Sequence, residues 1–329
     1  MLKIQKNILL SGTMRSGTTF MSSTLDAHPK IGMVSDILNW FWSRFFPKYG
    51  DISSVYELDK ALYELEYFIT YGLNLKQKSL LNNGKIKKDT IEMGISSLSF
   101  YYSLIKNFHY SEIKPCVGIK ATHQAKFYSN FLDYTPNSYV VHMVRNPIDS
   151  YYSHKLRTPD GKKQSFKKKL FNKLLNLNLG LNFENVFKRY YDVGLRDFTP
   201  YVYNNSIKFL DEWLSENKKT VALQKKYPDQ IIIIKFEDLI SDVENSLKKV
   251  FEFIDIEWNG KVLEYEKLKD RNGTQFKANS SFKKNTTKTI EIKGKSRYLT
   301  YLNKEELNYY KNNIHPFAKG IGFNIDINE

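Results

Sequence analysis

Five short apolar runs rich in Ile and Val, each closed by a turn signal, constrain this chain more than any other feature. They are Ile8–Ser11, Ile31–Val34, Val117–Lys120, Tyr139–Val144 and Ile231–Phe236. Runs this short do not make helices, and continuous β-branched character suits strands buried on both faces. Between them the apolar spacing changes to three and four, as at Val55, Leu58, Leu62, Leu65 and Ile69. A second such series, Leu247, Val250, Phe251 and Ile254, begins near Ser241 or Asp242 as a helix cap. Leu302–Lys319 reads as a last helix, with Asn303 as its cap and Gly320 as its stop. Strands alternating with helices predict an α/β fold, a central parallel sheet of about five strands flanked by helices on both faces.

At 329 residues the chain has room for one large core. The reading is a single domain over 1–329 with helical insertions at about 37–115 and 158–230, a two-domain division being the alternative. With 26% charged and 41% hydrophobic residues the composition is globular rather than disordered. One cysteine, Cys116, excludes an internal disulfide framework and fits a reducing compartment. No apolar run reaches the roughly 18 residues of a membrane span, and Met1–Leu10 is too short and polar for a secretory signal. A soluble, cytoplasmic protein is expected. The net charge of +15 calls for a polyanionic partner, namely nucleic acid, an anionic membrane or a small anion.

The first strand runs into Ser11-Gly12-Thr13-Met14-Arg15-Ser16-Gly17-Thr18-Thr19, followed by a helix to about Leu25. Gly12-(four residues)-Gly17 is the spacing of a nucleotide phosphate loop, where backbone amides and a helix N-terminus cradle an anion. An NTP-binding loop would continue with Lys to neutralise the β and γ phosphates, but here the residue is Thr18, and the cation sits earlier, at Arg15. No apolar strand ends in the Asp that would hold magnesium; Tyr139–Val144 ends in Arg145. The loop suits an anion at a 5′-position without a metal.

The Arg15–Thr19 segment, Arg-Ser-Gly-Thr-Thr, resembles the 5′-phosphosulfate loop of sulfotransferases that use 3′-phosphoadenosine 5′-phosphosulfate (PAPS). Leu25-Asp26-Ala27-His28-Pro29 is similar to the continuation in tyrosylprotein and glycan-type members. The resemblance implies a fold like that of P-loop nucleotide kinases, with Arg15, Ser16, Gly17, Thr18 and Thr19 on the donor's 5′ end. A second segment, Val144-Arg145-Asn146-Pro147-Ile148-Asp149-Ser150-Tyr151-Tyr152-Ser153, ends a strand and opens a helix. Eight positions, about two turns, put Arg145 and Ser153 within reach of one side, a reasonable monophosphate grip. Sulfotransferases use an Arg and a Ser at this spacing for the donor's 3′-phosphate, and Arg157 falls on a basic position of the tyrosylprotein-type pattern. Weaker matches are Lys235-Phe236-Glu237-Asp238-Leu239, with Phe where many members have Tyr, and a C-terminal donor loop represented by Ser281 and Lys295. Glu237 and Asp238 read as capping and turn residues.

The implied reaction moves a sulfuryl group from PAPS to an acceptor hydroxyl. A glycan is the first choice of acceptor, with tyrosine or a small alcohol next. It needs a base for the acceptor proton and cations near the leaving oxygens. Asp36 follows the second strand where related enzymes carry a catalytic Glu, while His123 lies three residues after Lys120, near the catalytic His of cytosolic members. Asp36 is the favoured base, and Lys120 the cation at the leaving group. No Cys/His cluster with metal spacing occurs, so no metal is expected.

Two rivals are a nucleotide kinase, against which Thr18 and the missing magnesium carboxylate speak, and a basic RNA-binding protein, against which arginines at strand ends speak. No nucleic-acid partner is therefore expected. Residues 162–175 hold six lysines, with Phe166, Leu170, Phe171, Leu174 and Leu175 at helical spacing. The segment reads as a packed insertion helix, with peripheral contact at an anionic inner membrane face, near a lipid-linked glycan, as the sharper alternative.

Overall fold

The computed structural model describes residues 4–35, 40–72, 81–108, 114–155, 206–267 and 302–323. All five runs form strands: β1 (Lys6–Gly12), β2 (Ile31–Ser35), β3 (Cys116–Lys120), β4 (Ser138–Val144) and β5 (Ile231–Lys235). They make one sheet in the order β2-β3-β1-β4-β5, and every neighbouring pair is parallel. This is the parallel α/β sheet expected from the sequence.

The helices are α1 (Thr18–Asp26), α2 (Phe46–Tyr49), α3 (Val55–Gly72), α4 (Asn83–Glu92), α5 (Ser97–Phe108), α6 (Tyr128–Tyr134) and α7 (Pro147–Lys155). After them come α8 (Ser206–Lys226), α9 (Phe236–Ser241), α10 (Val243–Phe253), α11 (Lys304–Tyr309) and α12 (His315–Gly320). Alternate residues of each strand point to opposite faces. Leu9, Val117, Ile119 and Val140 join one core with Leu58, Leu65, Phe100, Leu104 and Phe131 of the helices. Ile8, Leu10, Val141 and Met143 join another with Phe20, Leu25, Leu247 and Phe251. A smaller cluster, including Val144, Ile148, Tyr151, Phe209, Trp213 and Tyr310, forms where β4 ends.

Asp242 caps α10, its side chain accepting from Asn245 N–H at 3.1 Å. Asn303 caps α11 in a capping box with Glu306, so that helix opens at Lys304, two residues later than expected. It does not run straight to Gly320, because Tyr310–Ile314 is a π-helical turn ahead of Pro316 in α12. The same arrangement stands at Phe41–Phe45 ahead of Pro47 in α2. Proline lacks the N–H that closes an α turn and its ring crowds the preceding carbonyl, so the turn before it widens. Phe236, expected to end a strand, instead begins α9, buried. Among the described residues no helix is long and apolar enough to cross a membrane.

Candidate functional site

In a parallel sheet all strands end at one edge, and a ligand crevice opens where consecutive connections leave in opposite directions. Here that point lies between β1 and β4. Gly12 pairs with Met143, so the loop after β1 faces the loop after β4. Gly12 has φ 145° and Gly17 has φ 91°, both in the region that favours glycine. A Cβ on Gly12 would run into the Met143 carbonyl oxygen, and one on Gly17 into the Phe236 ring. Gly17 is the N-cap of α1 and supplies no side-chain cap. The amides of that first turn therefore have no competing side-chain acceptor from the cap. Ser16 Oγ donates to Thr13 O at 2.6 Å and closes the loop on itself. Thr18 is buried and Thr19 exposed.

The two motifs meet. Arg15, held in a left-handed conformation (φ 69°), donates from Nε to Ser153 Oγ at 3.1 Å. Arg145 Nη1 donates to the Arg15 carbonyl at 3.3 Å. Arg145 also places its guanidinium 4.6 Å from the centroid of the Phe236 ring. Its Nε is buried without a partner. Asn146 caps α7, accepting from Ile148 N–H at 2.9 Å and Asp149 N–H at 3.3 Å, and Pro147 follows at the first helical position. Burial raises the Asp149 carboxyl, and Arg145 opposes the shift. Burial, then the charge of Arg15, lowers the His154 imidazole.

Lys120 ends β3, opposite Leu10 of β1 and Ser35 of β2 in the register. The turn after it is braced by its own amides. Ala121 N–H donates to Leu10 O at 3.0 Å, His123 N–H to Gly12 O at 3.0 Å, and Gln124 N–H to Ser11 Oγ at 3.3 Å. Ala125 N–H donates to Glu216 Oε1 at 2.7 Å. His123 takes φ 58° and its Nε2 accepts from Met14 N–H at 3.2 Å. Burial, then His142, pulls the His123 imidazole down to about 4. It is neutral at pH 7, and the nitrogen that would take a proton already accepts from the phosphate loop. Burial pushes Glu216 up to about 7.

The described residues therefore bring Arg15, Ser16, Gly17, Thr18, Arg145 and Ser153 together at the carboxyl edge of β1 and β4, with His123 against the loop and Lys120 beside it. Asp36, Arg157, Ser281 and Lys295 lie outside the described residues. Trp213, Phe236 and Glu237 have roles that sequence reasoning missed. Trp213 falls in an interval that matched no motif, and Glu237 reads locally as a turn residue. Its Oε1 instead accepts from Asn146 N–H at 3.0 Å, across 91 positions.

Comparison with known proteins gives a match of the Sulfotransferase domain model to residues 5–318. None of the curated proteins matches the chain. Among solved structures, the sulfotransferase domain of the Synechococcus PCC 7002 olefin synthase has 14% identity, covers 80% of this chain and 78% of its own, and gives a TM-score of 0.45. Mouse sulfotransferase SULT7A1 complexed with PAP has 12% identity, with 97% and 84% of the two chains covered and a TM-score of 0.45. The family model spans all five strands and both the Arg15–Thr19 and Val144–Ser153 segments, and on that match the chain belongs to the PAPS-dependent sulfotransferases.

Proposed function

We propose that this enzyme sulfates a glycan hydroxyl, gripping PAPS at both ends of its nucleotide. Arg15–Thr19 hold the 5′ end, and Arg145 with Ser153 hold the 3′-phosphate. Arg157, Ser281 and Lys295 complete the donor site on the family pattern. The observation that carries this reading is the contact between the two motifs. Arg15 bonds Ser153 while Arg145 bonds the Arg15 carbonyl, so the two segments assigned to the two ends of the nucleotide lie side by side. The acceptor oxygen attacks sulfur in line with the bridging oxygen. The S–O bond to the 5′-phosphate breaks as the new O–S bond forms, and 3′,5′-ADP leaves. Asp36 takes the acceptor proton, and the Lys120 ammonium neutralises charge on the leaving phosphate. His123 braces the loop rather than acting as base. The whole chain forms one domain, cytoplasmic, with 162–175 as a packed insertion helix and peripheral contact of that segment with an anionic membrane face as the alternative.

The test is nucleotide binding by Arg145→Ala. Removing a charge-assisted pair weakens 3′,5′-ADP by about 10- to 150-fold and leaves 5′-AMP nearly unchanged. Equal losses for both nucleotides would remove Arg145 from the 3′-phosphate. The acceptor class is read by labelled-donor transfer to glycan, peptide and small-alcohol libraries, with glycans expected to be labelled most.

A further inference from the structure

The peptide group that follows Arg145 is held from both sides. Its carbonyl oxygen, on Arg145, accepts from Trp213 Nε1 at 2.9 Å, and its N–H, on Asn146, donates to Glu237 Oε1 at 3.0 Å. The ring of Phe236, next to Glu237, lies against the guanidinium at 4.6 Å. The same ring fills the space that a Gly17 side chain would need, so it touches both motifs at once. Trp213 is fully buried in α8, and Phe236 is buried at the start of α9. Glu237 keeps its second oxygen, Oε2, buried and without a partner. Burial raises this carboxyl, while the Asn146 amide and Arg145 oppose the shift.

A carboxylate that only capped its own helix would bond amides one turn away. Glu237 spends an oxygen on an amide of a different strand end, and Trp213 turns its sole polar atom to the same peptide. Arginine recognises a phosphate through a planar fork whose value depends on being held in place before the anion arrives. A locked peptide fixes where the side chain starts, and an aromatic face fixes the plane of its end. Nη1 is engaged with the Arg15 carbonyl, and Nε is buried with no partner of its own.

We infer that Trp213, Phe236 and Glu237 are positioning residues that preset Arg145, and thereby determine how strongly the enzyme prefers a 3′-phosphorylated nucleotide. This rests on the reading of Arg145 as the 3′-phosphate grip. None of the three touches the anion; they act through Arg145.

The experiment measures the affinity of the full chain for 3′,5′-ADP and for 5′-AMP by calorimetry, and reads their ratio. Glu237→Ala and Trp213→Phe are each expected to lower the ratio about 3- to 10-fold, the size of one lost hydrogen bond, with 5′-AMP affinity unchanged. Glu237→Gln keeps an oxygen facing the Asn146 amide and should restore the ratio to within about 2-fold of wild type. Arg145→Ala is the reference. If it collapses the ratio while Glu237→Ala and Trp213→Phe leave it intact, the inference is overturned and the grip stands. If Arg145→Ala itself leaves the ratio intact, the underlying reading fails. Equal weakening of both nucleotides in the Glu237 and Trp213 variants also overturns the inference, because it marks general loosening. Should Trp213→Phe fail to fold, the Glu237→Ala and Glu237→Gln pair decides the matter alone.

Discussion

His123 shows how a residue's neighbours decide its chemistry. A neutral imidazole at the end of β3 looks like a base, yet its Nε2 accepts from Met14 N–H and its backbone is bound to Gly12. His123→Ala is therefore expected to keep substantial transfer while raising the KM for donor, whereas Asp36→Asn should lose about 100-fold or more in rate with nucleotide binding intact. The opposite pattern in steady-state kinetics would make His123 the base. Glu216 offers a pH test at the same scale. Burial raises its folded pKa to about 7, well above the ordinary carboxylate value. The folded protein thus holds a proton that the unfolded chain has released, so this contribution to stability is full at low pH and is lost as pH rises through about 7. Gln needs no proton to stay neutral and still accepts from Ala125 N–H. Glu216→Gln should stabilise the protein by roughly 1–3 kcal/mol at pH 8 and by little at pH 5. Melting curves at both pH values check the sign, and a gain equal at both would refute it.

Among the elements, the turn between β1 and α1 carries the most constraint. Gly17 has φ 91° and the Phe236 ring lies where a Cβ would go, so Gly17→Ala meets backbone strain and a displaced ring together. A cost of about 1–3 kcal/mol follows. Donor affinity should fall along with the melting temperature, because the strain lies in the anion loop itself. A change at the start of α10 should behave differently. Asp242→Ala removes a cap worth about 1 kcal/mol and should lower stability with donor KM unaltered. If the two variants gave the same ratio of binding loss to stability loss, the loop would have no special part in binding. The π-helical turns ahead of Pro47 and Pro316 show that sequence can set a helix's existence while one proline sets its path.

Over the whole molecule, a net charge of +15 favours association with anionic surfaces. Six lysines lie within 162–175, and each contributes about 1 kcal/mol near an anionic membrane surface. On the membrane-contact reading, the 329-residue protein is expected to sediment with anionic liposomes at low salt and to be released at high salt. Changing Lys167, Lys168 and Lys169 to Glu should abolish the effect. Binding that survives both treatments would assign the membrane contact elsewhere.

What the sequence determined by itself was everything encoded within one segment. Strand-length runs of Ile and Val, helical spacing, the Asp242 and Asn303 caps and the glycine spacing of the loop are local patterns, set by backbone sterics and periodicity. Arg15 and Arg145 were legible as cations beside glycine or proline turns for the same reason. Only the tertiary structure decided what depends on distant segments arriving together. The bond from Arg15 to Ser153 spans 138 positions, and that from Trp213 to the Arg145 carbonyl spans 68. Glu237 looked like a turn residue because no local pattern records which amide a buried carboxylate will meet. His123 Nε2 accepts from a loop amide 109 positions away, a partner that no local pattern around it records. Residue type fixes which groups can bond and ionise. Which partner each one meets, and so whether it grips, braces or transfers a proton, is set by packing across the sheet.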